Sequence, residues 1–445
     1  MTHASGLREP YVGPLQKVAF LALLLFLFLL HSRVFDLAFS KLHIPILTLY
    51  IAVAAALLGG GFFRAFSNRI GILLLMMTGW MMLAVPFSVW PGGSALIVRN
   101  WGKMMLVYVV TAGLISTFGQ FRRTIHVLAF AILVLAVTAL AFGDTAQGRL
   151  VLARGRFANP NDLGQILLMG FPFWWYIATN RKLKRSRRVL AILALIPIFT
   201  AMAKTGSRGA LIAAAAVGLV LFWRSSVSRK ILIAVGVLIL VTFAAVFLPE
   251  ATKARYFTFF SSNETDLRDD IEADIETSAV SSTQSRWNLL KDSIALTWLH
   301  PMFGVGPGQF PAAQDQYSWK VRNHKGHWQV THNTFTEFSS EDGIPVLIFY
   351  CLALYFAFRS ARLPKGAPPG DGGEAASASF CLRLSLLSYL VSSMFGSFAY
   401  QTQFIVLAGL SVAFARVGGG ELARAAQSKT AQQPQLVYMA RGARA

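Results

Sequence analysis

KVAFLALLLFLFLLHSRVF, residues 17–35, is an apolar run with its charges confined to the two ends. A helix rises 1.5 Å per residue, and about 20 mostly apolar residues span the hydrocarbon core of a bilayer. HSRVFD closes the run where a cleaved leader would carry small residues, so the stretch reads as a retained span. Further apolar stretches lie at 43–62, 69–87, 103–119, 125–142, 162–179, 189–203, 208–223, 230–248, 343–358, 380–398 and 402–416. The fold class expected is an all-α polytopic membrane protein of about 12 transmembrane helices, with a large extracytoplasmic loop between the ninth and the tenth.

Composition agrees. Of 445 residues, 55% are hydrophobic and 14% charged, and the mean hydropathy is +0.53. Soluble domains carry roughly a quarter charged residues, and a soluble fold could not keep this much apolar surface from water. Disordered, collagenous and disulfide-stapled chains are excluded by the same figures. The net charge of +21 would point to nucleic acid in a soluble protein. In a membrane protein it follows from Lys and Arg gathering in cytoplasmic loops. Cys351 and Cys381 both fall in or beside apolar segments, so no disulfide framework is expected.

Charge sets the orientation. With the N-terminus (1–16) in the cytoplasm, the cytoplasmic connections hold Arg64, Arg69, Arg122, Arg123, RKLKRSRR at 181–188, Arg224, Arg229, Lys230, Arg359, Arg362 and Lys365. The opposite connection YQT at 400–402 has no charge. The membrane region then divides into 17–248 and 343–416, with the loop 249–342 between them and a disordered cytoplasmic tail at 417–445. Two outer stretches break the rule. The connection 143–161 contains Arg149, Arg154 and Arg156, and the junction near 204–208 contains Lys204 and Arg208. Such residues either snorkel to lipid phosphate or face an anionic ligand that approaches from the bilayer.

The loop 249–342 is the soluble-like segment large enough for chemistry. Its acidic strip, 261–282, reads as a solvated segment or a movable lid. Trp287, Leu290, Ile294 and Trp298 then recur at helical spacing, as in a helix lying along a membrane interface. HPMFGVGPGQF at 300–310 is a tight irregular turn, with the spacing of neither a P-loop nor a dinucleotide fingerprint. His324, His327 and His332 invite a zinc reading, but their spacing fits no standard ligand pair and no cysteine is near. No metal and no cofactor are expected.

Four ordered stretches carry a family resemblance: RGRFANPNDLG at 154–164, KTGSRGALI at 204–212, SRWNLLKDSIALTWLHPMFGVGPGQF at 285–310 and HNTFTEFSSEDGIP at 332–345. Together they resemble the O-antigen ligase and O-antigen polymerase superfamily of bacterial envelope enzymes. Where that family often has a second glycine three residues after Gly343, this chain has Val346. The resemblance implies metal-independent, inverting glycosyl transfer at the periplasmic face of the bacterial inner membrane. The donor it implies is a glycan on undecaprenyl pyrophosphate. The acceptor is a sugar hydroxyl of lipid A–core, or of a lipid-linked glycan if the chain is a polymerase.

The residue chemistry fits that reaction. Arg208, Arg286 and Arg156 are the candidate pyrophosphate ligands, because guanidinium stays charged and offers a planar fork to phosphate oxygens. His332 is the candidate general base, with an ordinary pKa of about 6.5. Asn159, Asn161, Asn333 and Glu337 are accessory candidates. Plainer readings stand beside these: Arg208 as a snorkelling helix-end residue, Arg286 as a helix cap, His332 as a hydrogen-bonded residue at a helix start, and Asn159 and Asn161 as makers of the turn around Pro160. A transporter of lipid-linked glycan, without chemistry, is the reading from another class. The absence of an internal repeat argues against it.

Overall fold

In a computed structural model of the chain, the residues described are 13–34, 44–146, 148–152, 159–247, 252–253, 256, 270–326, 328–363 and 373–419. The first half of the bundle contains helices Pro14–Ser32 (α1), Ile44–Leu58 (α2), Gly61–Phe66 (α3), Arg69–Ala84 (α4), Pro91–Leu114 (α5) and Phe118–Phe142 (α6). A hairpin of Asp144–Ala146 (β1) and Arg149–Val151 (β2) follows, antiparallel with Thr145 opposite Leu150. Pro160–Thr179 (α7), Arg185–Leu193 (α8), Leu195–Lys204 (α9), Arg208–Trp223 (α10) and Val227–Phe247 (α11) lead into the loop. The loop carries Asp270–Leu299 (α12), Phe310–Arg322 (α13) and Thr334–Asp342 (α14). Ile344–Ser360 (α15), Gly373–Ser393 (α16) and Thr402–Gly419 (α17) close the bundle.

Among the described residues, six helical stretches are long and apolar enough to cross a membrane: α1, α4 with the turn after it, α6, α8 continued by α9, α16 and α17. Three shorter apolar helices, α2, α10 and α15, accompany them. The chain is thus a mostly helical, multi-pass membrane protein, and the short β-hairpin is the one departure from an all-α description among the described residues.

Several helices begin earlier than hydropathy alone places them. α5 starts at Pro91 rather than near 103, α6 at Phe118 rather than 125, and α16 at Gly373 rather than 380. Hydropathy stops at charge, whereas a helix continues wherever its polar groups are satisfied. α6 opens on a capping box: Gln120 N–H donates to Thr117 Oγ1 (3.1 Å), and Thr117 N–H donates back to Gln120 Oε1 (3.3 Å). The polar start of α16 is held by Glu374, whose carboxylate is buried and accepts from Tyr176 Oη (2.7 Å) and Asn180 Nδ2 (3.0 Å) and pairs with Arg122 (3.2 Å).

The core of the bundle is a large apolar cluster with a smaller one of Phe171, Val217, Leu221 and Leu384 beside it. α7 and α16 pack antiparallel, Tyr176 against Glu374 and Met169 against Ser385. Ser385 Oγ donates to the Met169 carbonyl at 3.0 Å, the kind of small-residue contact that lets helices approach closely in lipid. The loop has a small core of its own in Leu289, Leu296, Val305, Phe310 and Ala313. On the other side of α12, Trp287, Ile294 and Trp298 are exposed, and Leu290 is half-buried. The apolar stripe read from the sequence is therefore largely turned away from the protein. Arg154, Arg156, His327, the acidic residues 261–269 and residues 420–445 lie outside the described residues.

Candidate active site

The site grows from the turn before α14. His332 takes a left-handed backbone conformation, φ 55°, uncommon for a residue with a Cβ. Asn333 then caps α14, its Oδ1 accepting from Phe335 N–H (2.9 Å) and Thr336 N–H (3.1 Å). The His332 N–H donates to Ser397 Oγ at 2.9 Å. Thr334 Oγ1 donates to the Gly396 carbonyl (2.8 Å) and accepts from Phe398 N–H (3.0 Å). Asn333 Nδ2 reaches the Met394 carbonyl (3.3 Å), and Glu337 Oε2 accepts from Ala399 N–H (3.1 Å). The connection between α16 and α17 is thus laced along the start of α14, and the two fix the backbone of His332.

Two helices begin at the same place. Asn159 caps α7, accepting from Asn161 N–H at 2.9 Å, so it makes the turn around Pro160. Ser207 caps α10, accepting from Ala210 N–H at 3.3 Å after Gly206 turns the chain at φ 57°. A Cβ added at Gly164 would stand 3.0 Å from Thr205 Oγ1 and 3.2 Å from Ser207 Cβ, so the two helix starts are in contact. Gly209 packs against Phe395, two residues from the Ser397 that holds His332. Arg208, the first residue of α10, stands at this junction and is half-buried. Each helix start carries unpaired N–H groups and the positive end of a dipole, both favourable to an anion.

Arg149 joins these parts. It is 8% exposed, and it donates from Nε to the Thr205 carbonyl (2.8 Å) and from Nη2 to Asn161 Oδ1 (2.8 Å). Arg286 is half-buried on α12. Burial lowers the His332 pKa to about 4, helped by the positive charges of Arg286 and Arg149. The imidazole is therefore neutral at pH 7, with a nitrogen able to take a proton.

The glycine turn packs against the far end of α14. Gly304, Gly306 and Gly308 all have positive φ, at 63°, 108° and 73°. Val305 N–H and Gly306 N–H donate to the Ser340 and Glu341 carbonyls, each at 2.8 Å. The Glu341 carboxylate accepts from Gly308 N–H (2.9 Å) and Phe310 N–H (3.0 Å). Tyr400 Oη donates to Asp342 Oδ2 at 2.7 Å. Burial pushes Glu341 up to about 7, and burial with the neighbouring Glu341 pushes Glu337 and Asp342 well above the ordinary carboxylate range. Beyond this turn, α12 is fixed to α13 by Asp292, which accepts from Arg322 and Gln314, and to α14 by Thr297 and Ser339 (2.8 Å).

His332, Arg286, Asn161 and the start of α10 with Arg208 therefore come together. Asn159 and Asn333 serve as helix caps, Glu337 lies among the buried carboxyl groups of α14, and Arg156 is outside the described residues. Sequence reading gave Arg149 no role beyond a misplaced charge, and it did not single out Ser397 or Tyr400. Their placement depends on contacts across long stretches of chain, which no local pattern carries. Basic charge on the disfavoured side of the membrane was the one available signal for Arg149.

No curated protein matches the chain. Residues 191–351 match the family model described as O-antigen ligase.

Proposed function

We propose that the chain is an O-antigen ligase-type glycosyltransferase of the bacterial inner membrane, with twelve spans, both termini in the cytoplasm and its active site on the periplasmic side. It moves a glycan from undecaprenyl pyrophosphate to a sugar hydroxyl of lipid A–core in one inverting displacement, without a metal. The acceptor oxygen attacks the anomeric carbon from the face opposite the pyrophosphate. As the new C–O bond forms, the bond to the pyrophosphate breaks, and the hydroxyl proton passes to the His332 imidazole. Arg208 and Arg286, with Arg156 from the short outer connection, hold the charge that grows on the departing pyrophosphate. The helix starts of α7 and α10 add their N–H dipoles.

The observation that carries this reading is that Ser397 fixes His332 beside the junction of the α7 and α10 starts, which Arg149 ties together, and burial with the charges of Arg286 and Arg149 favours the neutral imidazole. Bound pyrophosphate would offset those positive fields and raise the imidazole pKa toward the working pH, where a general base is most effective. The test is glycosidic-bond formation by purified protein in nanodiscs, with lipid-linked donor and lipid A–core acceptor and with chelator present. His332→Ala is expected to lower turnover by about 10²–10⁴-fold. Unchanged turnover in that variant rejects the base, and absence of any covalent product from wild type rejects the enzyme reading in favour of transport. Long lipid-linked chains in place of modified lipid A–core identify a polymerase.

A further inference from the structure

Arg149 is buried on the hairpin, and two of its bonds run to two different helix starts. Nε holds the Thr205 carbonyl, just ahead of the Ser207 cap of α10, and Nη2 holds Asn161 in the first turn of α7. Both acceptors are neutral oxygens, so these bonds fix the guanidinium without themselves cancelling its charge. That charge is felt at His332. The same residue therefore touches the turn that delivers Arg208 and the helix start that faces it, and it acts on the imidazole through space.

We infer that Arg149 is a positioning residue for the transfer reaction proposed above: its guanidinium clamps the start of α10 to the start of α7 and keeps a fixed positive charge beside His332. The inference rests on that reaction for its catalytic consequence and on the hydrogen bonds alone for the clamp. The two parts separate chemically. A planar fork donates in two fixed directions, whereas an ammonium is a point charge on a flexible stem. Lysine would therefore keep the charge and lose the clamp, and glutamine would lose the charge.

The experiment uses the full chain in nanodiscs with ¹⁵N-labelled histidine, the His332 signal being identified by its loss in His332→Asn. Wild-type His332 is expected to titrate near about 4. Arg149→Gln is expected to move that titration up by roughly one pH unit, and Arg149→Lys to leave it in place. Asn161→Ala removes one anchor and keeps the guanidinium, so it is expected to move the titration upward by less than Arg149→Gln. In the transfer assay, Arg149→Lys and Asn161→Ala are each expected to lower kcat by about tenfold or more, with the acceptor KM little changed. A His332 titration unmoved in Arg149→Gln, or full turnover in Arg149→Lys, overturns the inference. Should Arg149→Gln fail to fold, an unmoved titration with full turnover in Asn161→Ala overturns it instead. If wild type forms no glycosidic bond, the transfer reading fails, while the imidazole titration still decides whether the fixed charge is there.

Discussion

The carboxylate of Glu341 closes the glycine turn: it accepts the N–H of Gly308 at 2.9 Å with one oxygen and the N–H of Phe310 at 3.0 Å with the other. A buried side chain at the end of one helix thereby fixes the path of a segment some thirty residues earlier. Replacement by alanine leaves two N–H groups without their partner, at roughly 1–3 kcal/mol each. Glu341→Ala is expected to lower the thermal unfolding temperature measured in detergent by several degrees. Burial holds the Glu341 pKa up at about 7, above its ordinary value, so folding favours the protonated form. Its contribution to stability grows as pH falls through 7 and is lost as pH rises. Glu341→Gln is expected to flatten that part of the stability–pH curve.

In the proposed reaction, the acid side of the rate profile follows from His332. With its pKa at about 4 in the unliganded protein, the imidazole is still neutral at pH 5 and 6. The kcat/KM profile reports the free enzyme, so its acid limb is expected near about 4 rather than at the ordinary 6.5 of histidine. Arg286→Gln removes one of the two positive charges that lower the pKa, and it is expected to move the limb upward. A limb at 6.5 in wild type would show that another group takes the proton.

Arg208 and Arg286 are expected to be sensitive to shape as well as to charge. Charge-assisted hydrogen bonds contribute about 1.5–3 kcal/mol, or roughly 10- to 150-fold in rate. Arg208→Ala and Arg286→Ala should each lose turnover on that scale, and the lysine variants should recover little of it. Full activity in both lysine variants would argue against paired hydrogen bonds to phosphate.

Gly306 stands at φ 108°, and a Cβ there would run into the Ser88 hydroxyl and Ser94. Strained backbone of this kind costs about 1–3 kcal/mol in a residue with a side chain. Gly306→Ala is expected to lower thermal stability by more than that amount, because the clash adds to the strain. Adding Ser88→Gly should restore only part of it, because the double variant recovers space and not backbone freedom.

Much of the membrane architecture was legible because lipid imposes one rule on every span, a long apolar run. The helix edges were not, since Thr117, Gln120 and Glu374 extend helices into polar sequence by side-chain contacts that hydropathy does not register. His332, Arg208 and Arg286 could be picked out because each sits in a short local pattern. Arg149 was visible only as a charge on the disfavoured side. Ser397 and Tyr400 had no local signal, since they matter through bonds to residues more than fifty positions away.

The lacing of residues 394–400 onto the start of α14 limits how this protein can be cut. The family match ends at residue 351, yet the hydroxyl that holds the His332 backbone belongs to Ser397. A chimera that grafts only the matched stretch onto another scaffold would carry the histidine and leave its anchor behind. The final pair of helices must travel with it for a working graft.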